Sequence, residues 1–213
     1  MYKPIGWTSF DLVKKVRSIT REKKVGHGGT LDPFAEGVLI IGTGRETKLL
    51  TQVSDKKKSY QAVIQLGSET NTLDTEGEII DTKSIPSIDK DNLNKLLHSF
   101  KGKYIHKPPM FSAKKVNGTR LYKLARKNIE IDRKKLISTI YDIKLNNFSD
   151  QLIDFSVTCS KGTYIRVLAS DIAKKIGTIG YLIKLVRTSI GDYNISDALS
   201  IDKFESEWKS IDN

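Results

Sequence analysis

Two segments that lie far apart in the chain repeat their apolar residues with a period of two, and this limits the architecture most. Segments 60–66 and 153–159 both carry apolar side chains at every second position. A period of two predicts β-strands with one buried face. Cys159, the only cysteine, falls in phase with the apolar side chains of the second segment. We therefore expect it in the core rather than as a nucleophile, and an internal disulfide is excluded.

Other parts of the chain repeat their apolar residues at helical spacing. Thr8 and Asp11 are spaced as a capping box and precede an apolar stripe, which predicts a helix. Similar stripes predict helices near 93–100, with Gly102 placed as the stop, and near 165–172. Helices are therefore expected to alternate with the strands.

The arrangement of these segments favours a single domain. The short apolar run 38–41 predicts a further buried strand, and neither a repeat nor a linker divides the chain. The predicted fold class is α+β, a mixed α/β domain over residues 1–213. The sequence contains neither a transmembrane-length apolar stretch nor a secretory signal. These features predict a cytoplasmic protein without a membrane partner.

The charge is strongly positive, with 36 Lys and Arg against 25 Asp and Glu and a net charge of +11. Segment 101–127, called the basic arm below, contains many of these cations and no carboxylate. Pro108-Pro109 stiffens it, and Asn117-Gly118 predicts a hairpin turn. Because a solvated charged face normally mixes both signs, we expect this arm to contact phosphates. Tyr104, Phe111 and Tyr122 are interleaved with its cations, and His106 could contact RNA or simply lie on the surface.

Asp32 is the strongest candidate for a catalytic group. It precedes Pro33 and follows closely spaced glycines, a pattern that lets backbone pass near a bulky neighbour. An Asp-Pro turn that opens a helix at Phe34 is the structural alternative. The Gly42–Lys48 segment matches neither the P-loop nor the dinucleotide fingerprint, so nucleotide binding is rejected. Three scattered histidines and a single cysteine predict no metal site.

Several motifs together resemble the bacterial tRNA pseudouridine synthase B family, TruB, which modifies the T-loop uridine at tRNA position 55. The similarity runs in the family's order from Lys3 to Gly191. The motifs are Gly-His-x-Gly-x-Leu-Asp-Pro-x-Ala-x-Gly-x-Leu at 26–39, Lys58-Ser59-Tyr60, Pro108-Pro109-x-x-Ser112-Ala113-x-Lys115, Tyr122-x-x-Ala125-Arg126, Lys161-Gly162-Thr163-Tyr164-Ile165-Arg166 and Leu185-x-Arg187-Thr188.

The resemblance implies a pseudouridine synthase fold, with a mixed, mostly antiparallel central sheet flanked by helices and a basic RNA-binding insertion at about 101–130. It implies that Asp32 is the catalytic aspartate, that Arg166 pairs with it and that Tyr60 stacks on the flipped uracil. His27 would help to displace the base. The substrate-binding set it implies is His27, Tyr164, Ile165, Leu185, Gly28, Leu31, Lys3, Lys58, Lys115, Arg126 and Arg187.

The implied chemistry agrees with these residue types. Isomerising uridine needs an ionised carboxylate as nucleophile or base, a nearby guanidinium and an aromatic platform for the base. It needs no cofactor and no metal, so none is expected. The expected partner is the T arm and T loop of tRNA, bound by a monomer that lacks the family's C-terminal PUA domain. Two alternatives stay open: a non-catalytic RNA-binding or tRNA-folding module, and an isomerase acting at another RNA site.

The chain also departs from the family at its start. Members usually have an acidic residue before the Lys-Pro pair and a longer first strand, whereas Tyr2 precedes Lys3-Pro4 here. We therefore expect either a short first strand or a native start upstream of Met1.

Overall fold

The structure, a computed structural model, describes residues 1–116 and 118–211 and contains both helices and strands. Within this described part, no helix is long and apolar enough to cross a membrane. The helices are α1 (Ser9–Thr20), α2 (Leu50–Asp55), α3 (Lys90–His98), α4 (Leu121–Ala125), α5 (Ile165–Ile176) and α6 (Ile201–Ile211). The strands are β1 (Tyr2–Lys3), β2 (Val25–His27), β3 (Glu36–Val38), β4 (Ile41–Thr43), β5 (Lys58–Leu66), β6 (Ser68–Thr70), β7 (Ile79–Thr82), β8 (Gly102–His106), β9 (Lys115–Val116), β10 (Thr119–Arg120), β11 (Leu136–Phe148), β12 (Leu152–Cys159), β13 (Gly180–Ile190) and β14 (Tyr193–Asn194).

The residues group into two compact units. Unit 1 contains Met1–Gln61 and Leu185–Asn213, and unit 2 contains Ala62–Lys184, so β5 and β13 contribute residues to both. The strand order is β1-β3-β13-β5 in unit 1 and β13-β5-β12-β11-β8 in unit 2. β3 and β13 are parallel, whereas β1–β3, β11–β12 and β8–β11 are antiparallel. The predicted mixed α/β class with a mixed, mostly antiparallel sheet is confirmed.

Helix α1 begins as the sequence predicts. The Asp11 amide donates to the Thr8 hydroxyl at 3.1 Å, and the Thr8 amide donates to the Asp11 carboxylate at 3.0 Å. This capping box satisfies amides that the first helical turn leaves without partners. Leu12 and Val16 are buried on the inner face of the helix. The helix therefore starts at a fixed point next to the loop that contains Asp32.

The apolar run 38–41 does not form the single strand that its composition predicts. β3 ends at Val38 and β4 begins at Ile41, and the two strands pair with different partners. Between them, the Leu39 amide donates to the Met1 carbonyl at 2.9 Å. The prediction is wrong because a short apolar run looks the same whether it is one buried strand or two strands joined by a buried corner.

Gly37 allows β3 to approach β13 closely. It lies opposite Arg187 in the parallel register, and its φ is +110°. A Cβ atom at this position would overlap the Arg187 backbone. Only glycine combines this backbone angle with the missing side chain. Gly37 is therefore required both by its backbone angle and by the close approach of β3 to β13.

In unit 2 the predicted alternation of β12 is confirmed, because Phe155, Val157 and Cys159 are all buried. The predicted helix at 165–172 is also confirmed as α5. Gly102 has a different role from the predicted one. Helix α3 already ends at His98, and Gly102 begins β8. Glycine signals a break in a helix but not the residue at which the break occurs.

Candidate active site

Asp32 lies half-buried in a turn between β2 and β3 of unit 1. The Ala35 amide donates to the Asp32 carbonyl at 3.1 Å and closes the turn. The structural alternative is an Asp-Pro turn that opens a helix. The turn is present, but no helix begins at Phe34. Because proline biases the preceding residue away from helical backbone, Asp32 is presented on a loop.

Arg187 on β13 holds the loop that precedes Asp32. Its Nη2 donates to the Gly29 carbonyl and its Nη1 to the Thr30 carbonyl, both at 3.2 Å. Its Nε donates to the Val38 carbonyl at 2.7 Å. The side chain is 1% exposed. One buried guanidinium therefore links the loop to β3 and β13.

Residues near the N-terminus of the chain hold the loop at Leu31 and Pro33. Both the amide and the carbonyl of Leu31 bond the Ser9 hydroxyl, at 2.8 and 3.0 Å. The Pro33 carbonyl accepts from the Gly6 amide at 2.9 Å and from Lys3 Nζ at 3.4 Å. Together with the Arg187 bonds and the Asp32 turn, these contacts engage every carbonyl from residue 29 to residue 33.

Lys3 and Lys58 are also buried cations, with exposures of 0% and 7%. Each ammonium group donates to backbone carbonyls of its own unit. The geometry therefore gives Lys3, Lys58 and Arg187 a bracing function, and their direct contact with RNA stays a prediction. The acceptors include the carbonyls of Pro4 (2.8 Å) and Trp7 (2.6 Å) for Lys3, and those of Ser54 (2.8 Å) and Lys56 (2.9 Å) for Lys58.

The glycines before Asp32 allow close packing, as predicted, and the bulky neighbour is helix α2. A Cβ atom at Gly28 would lie 2.8 Å from Val53 Cγ1. His27, in β2, has a lowered pKa because burial disfavours its charged form and Arg187 adds a second positive charge. The imidazole therefore favours its neutral state.

Tyr60 and Leu185 lie in unit 1, the same unit as Asp32 and His27. Tyr60 is 8% exposed on the buried face of β5, and Leu185 is 5% exposed on β13. Both side chains are therefore largely withdrawn from water, as expected of a base platform and a pocket wall. Their contact with a uracil stays a prediction.

Arg166 lies in unit 2, at the first turn of α5, and forms an ion pair that the sequence did not predict. Its Nη1 lies 3.2 Å from Asp74 Oδ2 and 2.7 Å from the Thr72 carbonyl, to which it donates. Its Nη2 donates to the Phe111 carbonyl at 2.8 Å. The turn-rich, acidic segment 67–77 indicates an exposed loop, so no pattern singles out the buried Asp74.

Tyr164 and Ile165 come directly before Arg166. Tyr164 is the N-terminal cap residue of α5 and is half-buried, while Ile165 is 4% exposed. The structure therefore brings three predicted site residues together at the start of one helix. That Arg166 pairs with Asp32, and that Tyr164 and Ile165 form walls of the pocket around it, stays a prediction.

The basic arm is only partly a surface element. Tyr104 is 6% exposed within β8 and is therefore unavailable to RNA, and His106 is buried instead of lying on the surface. Lys101 pairs with Asp142 at 2.6 Å, so acids outside the arm neutralise part of its charge.

The rest of the arm presents cations to solvent. Lys115 is exposed at the start of an antiparallel β9–β10 pair, and the predicted turn residue Asn117 lies outside the described residues. Arg126 is exposed beside Tyr122, with its guanidinium 5.5 Å from the ring centre. These side chains keep the charge and the aromatic surface that a phosphate-contacting arm requires.

The fold is similar to that of chains in solved structures of Cbf5-containing complexes. The chain superimposes on a protein in the crystal structure of a Cbf5-Nop10-Gar1 complex with a TM-score of 0.75, at 24% identity and over all of this chain. It spans 55% of that solved chain. At this level of identity, the likeness establishes the fold.

Sequence comparison is more specific. Residues 17–165 match the model of the TruB family pseudouridylate synthase N-terminal domain. Proteins named tRNA pseudouridine synthase B are similar in Clostridium kluyveri (48% identity, 96% of this chain, 71% of the relative) and Bacillus subtilis (44%, 99% and 70%). A relative of the same name from Ureaplasma urealyticum is 41% identical over 98% of this chain and 92% of its own length. The chain therefore belongs to the TruB family of pseudouridylate synthases.

Proposed function

We propose that this protein is an isomerase that converts the T-loop uridine of tRNA, at position 55, into pseudouridine. The observation that carries the proposal is the aspartate loop of this family member. Asp32 lies on a turn whose neighbouring carbonyls are all engaged by buried donors. Its relatives are named for the same reaction on tRNA.

The reaction needs little beyond a positioned carboxylate. The N1–C1′ bond of uridine breaks, the base turns, C5 bonds to C1′, the C5 proton is released and N1 takes up a proton. No electrons are gained or lost, so no oxidant or reductant is required. We propose that the Asp32 carboxylate acts at the sugar, as nucleophile or as base. The half-buried position of Asp32 leaves part of its surface accessible to substrate.

The other site residues are proposed to bind and orient the base. Tyr60 provides a ring on which the flipped uracil stacks, a contact worth about 1–3 kcal/mol. Tyr164, Ile165 and Leu185 form apolar walls that exclude water. His27 helps to displace the base, and its lowered pKa favours a neutral ring that can insert among bases. That Arg166 pairs with Asp32 stays a prediction from the family resemblance and from the chemistry of a stabilised carboxylate.

Affinity for RNA is assigned to the exposed part of the basic arm. Lys115 and Arg126 are proposed to contact phosphates of the T arm, in keeping with their exposure and with the net charge of +11. We also propose that the protein acts on tRNA as a cytoplasmic monomer. Residues 1–213 are proposed to form a single catalytic domain.

The test compares the wild type with Asp32→Asn on a tRNA transcript and on the same transcript with the position-55 uridine replaced by cytidine. We expect product from the wild type on the first transcript alone. Asp32→Asn should lose product formation by about a thousandfold or more and keep its RNA affinity within about twofold, because the amide preserves the shape of the side chain.

Three results would contradict the proposal. Tight RNA binding without product from the wild type would indicate a binding module. Product on both transcripts would indicate an isomerase for another site. Full activity of Asp32→Asn would remove Asp32 from the chemistry.

A further inference from the structure

His106 ends strand β8 as a buried side chain, 4% exposed. Its ring stacks on Tyr104 with the centroids 4.7 Å apart and the planes 9° from parallel. Its Nε2 lies 3.2 Å from the Gly162 carbonyl. The ring also meets Tyr164 edge to face, with centroids 6.0 Å apart and an interplanar angle of 65°. His106 therefore contacts both the turn before α5 and the residue that caps that helix.

The contact with Gly162 defines the state of the imidazole. A carbonyl oxygen can only accept, so Nε2 carries the hydrogen and donates it. Nδ1 is buried and has no hydrogen-bond partner in the described part of the chain. Burial lowers the pKa of His106, because a charged ring would be poorly solvated there. The neutral ring is thus a directional donor.

Tyr104 connects β8 to α5 at a second point. Its hydroxyl donates to Asp171 Oδ2 at 2.5 Å, and Asp171 lies on α5. Burial, followed by the hydrogen bond and charge of Asp171, raises the pKa of the Tyr104 phenol, which therefore stays protonated. Since Gly162 precedes Arg166 and Asp171 follows it, β8 holds α5 on both sides of that residue.

We propose that His106 is a positioning residue for Tyr164 and Arg166 in uridine isomerisation, an inference that rests on the proposed function. The Nε2 donor holds the Gly162 carbonyl and so fixes the backbone that leads into α5. The ring edge limits the positions open to the Tyr164 side chain. Tyr104 and Asp171 keep the imidazole in place.

The experiment separates positioning from general stability. His106→Leu removes the donor and fills the buried position with an apolar side chain. His106→Gln replaces the ring but provides an N–H donor. His98→Leu is the matched control, because His98 is exposed on α3. Turnover is measured on T-arm RNA per RNA-binding-competent molecule, together with Kd. Hydrogen exchange of the backbone amides at 163–167 is followed without RNA.

His106→Leu should lower kcat about tenfold, leave Kd within about twofold and speed exchange at 163–167, while His106→Gln stays within about twofold of the wild type. Tyr104→Phe, which keeps the stack and loses the bond to Asp171, should change kcat in the same direction by less. If His106→Leu does not fold, kcat and the exchange at 163–167 in Tyr104→Phe test the positioning function instead.

Unchanged kcat in His106→Leu, equal losses in the Leu and Gln variants, or unaltered exchange at 163–167 would overturn the positioning function. A wild type that exchanges as expected but makes no product would instead contradict the proposed function. The exchange measurement thus distinguishes the two failures.

Discussion

Arg166 and Asp74 form an ion pair of 3.2 Å in which the side chains are only 4% and 2% exposed. Asp74 is held in turn, since its Oδ1 accepts from the Thr72 hydroxyl at 2.6 Å and from the Glu76 amide at 3.0 Å. A buried charge is costly unless it is paired and hydrogen-bonded. Asp74 therefore allows the guanidinium to be placed in the interior of unit 2, with a fixed orientation.

Asp74→Asn should destabilise the protein and reduce its activity. The amide can keep the Oδ1 hydrogen bonds, but it removes the negative charge and can turn an N–H toward the Arg166 donor. Loss of one partner of a buried pair is expected to lower the free energy of unfolding by about 3 kcal/mol. Urea denaturation measures this change in stability, and steady-state assays measure kcat.

The matched control is Asp150→Asn, because Asp150 is exposed. Its stability should stay within about 0.5 kcal/mol of the wild type. Equal effects of the two substitutions, or a stable and fully active Asp74→Asn protein, would contradict the importance of the buried pair.

Arg187→Lys tests whether Arg187 braces the catalytic loop or binds RNA directly. Lysine replaces the planar fork of Nε, Nη1 and Nη2 with one donor atom on a shorter side chain, which does not match the positions of the Gly29, Thr30 and Val38 carbonyls, so stability should fall by about 3 kcal/mol. We expect kcat to fall and Kd for RNA to stay nearly constant. Arg45→Lys, at an exposed position, is the control. A weaker Kd with unchanged stability would favour direct RNA contact.

Stability should fall as the solution becomes mildly acidic. The folded-state pKa values of His27 and His106 are lowered, in both cases mainly by burial. Below about pH 6.5, the unfolded chain therefore binds protons that the folded protein does not. The free energy of unfolding should decrease from about pH 6.5 down to the folded-state values, by at most about 1.4 kcal/mol per pH unit for each ring.

Denaturation curves between about pH 5 and 7.5 measure this slope. His27→Asn should make the slope shallower, because it removes one of the two buried rings with a lowered pKa. A slope identical in the wild type and His27→Asn would contradict the neutral, buried state of His27.

RNA affinity should depend steeply on salt if the basic arm contacts phosphates. Lys115→Ala should reduce the slope of log K against log salt by about one. Lys101→Ala should reduce it less, because Lys101 is already paired with Asp142 at 2.6 Å. Filter binding over a range of KCl concentrations measures the slopes. Equal slopes for the wild type and Lys115→Ala would assign Lys115 no phosphate contact.

Local patterns predicted much of the fold. The capping box at Thr8, the alternation of β5 and β12 and the stripe of α5 each follow from a period that one element imposes on its residues. The corner between β3 and β4 could not be predicted in this way. It depends on which distant strand each half pairs with, and no nearby residue records that choice.

In the candidate site, too, local motifs predict some residues, whereas others depend on contacts between distant parts of the chain. Family motifs surround Asp32, Tyr60 and Arg166 and predict them as site residues. Asp74 was missed because its importance comes from burial beside Arg166, which is distant in sequence. The family resemblance implies RNA binding for Lys3 and Arg187, whereas the carbonyls that both side chains bind become close only in the folded chain.

The saturated carbonyls of the Asp32 loop have a consequence for the energetics of RNA binding. Donors from α1, β1 and β13 already restrict the backbone from Gly29 to Pro33. The conformational entropy of this segment is therefore lost when the protein folds and not when RNA arrives. The loop is preorganised, so binding free energy from the T arm remains available for unstacking the target base.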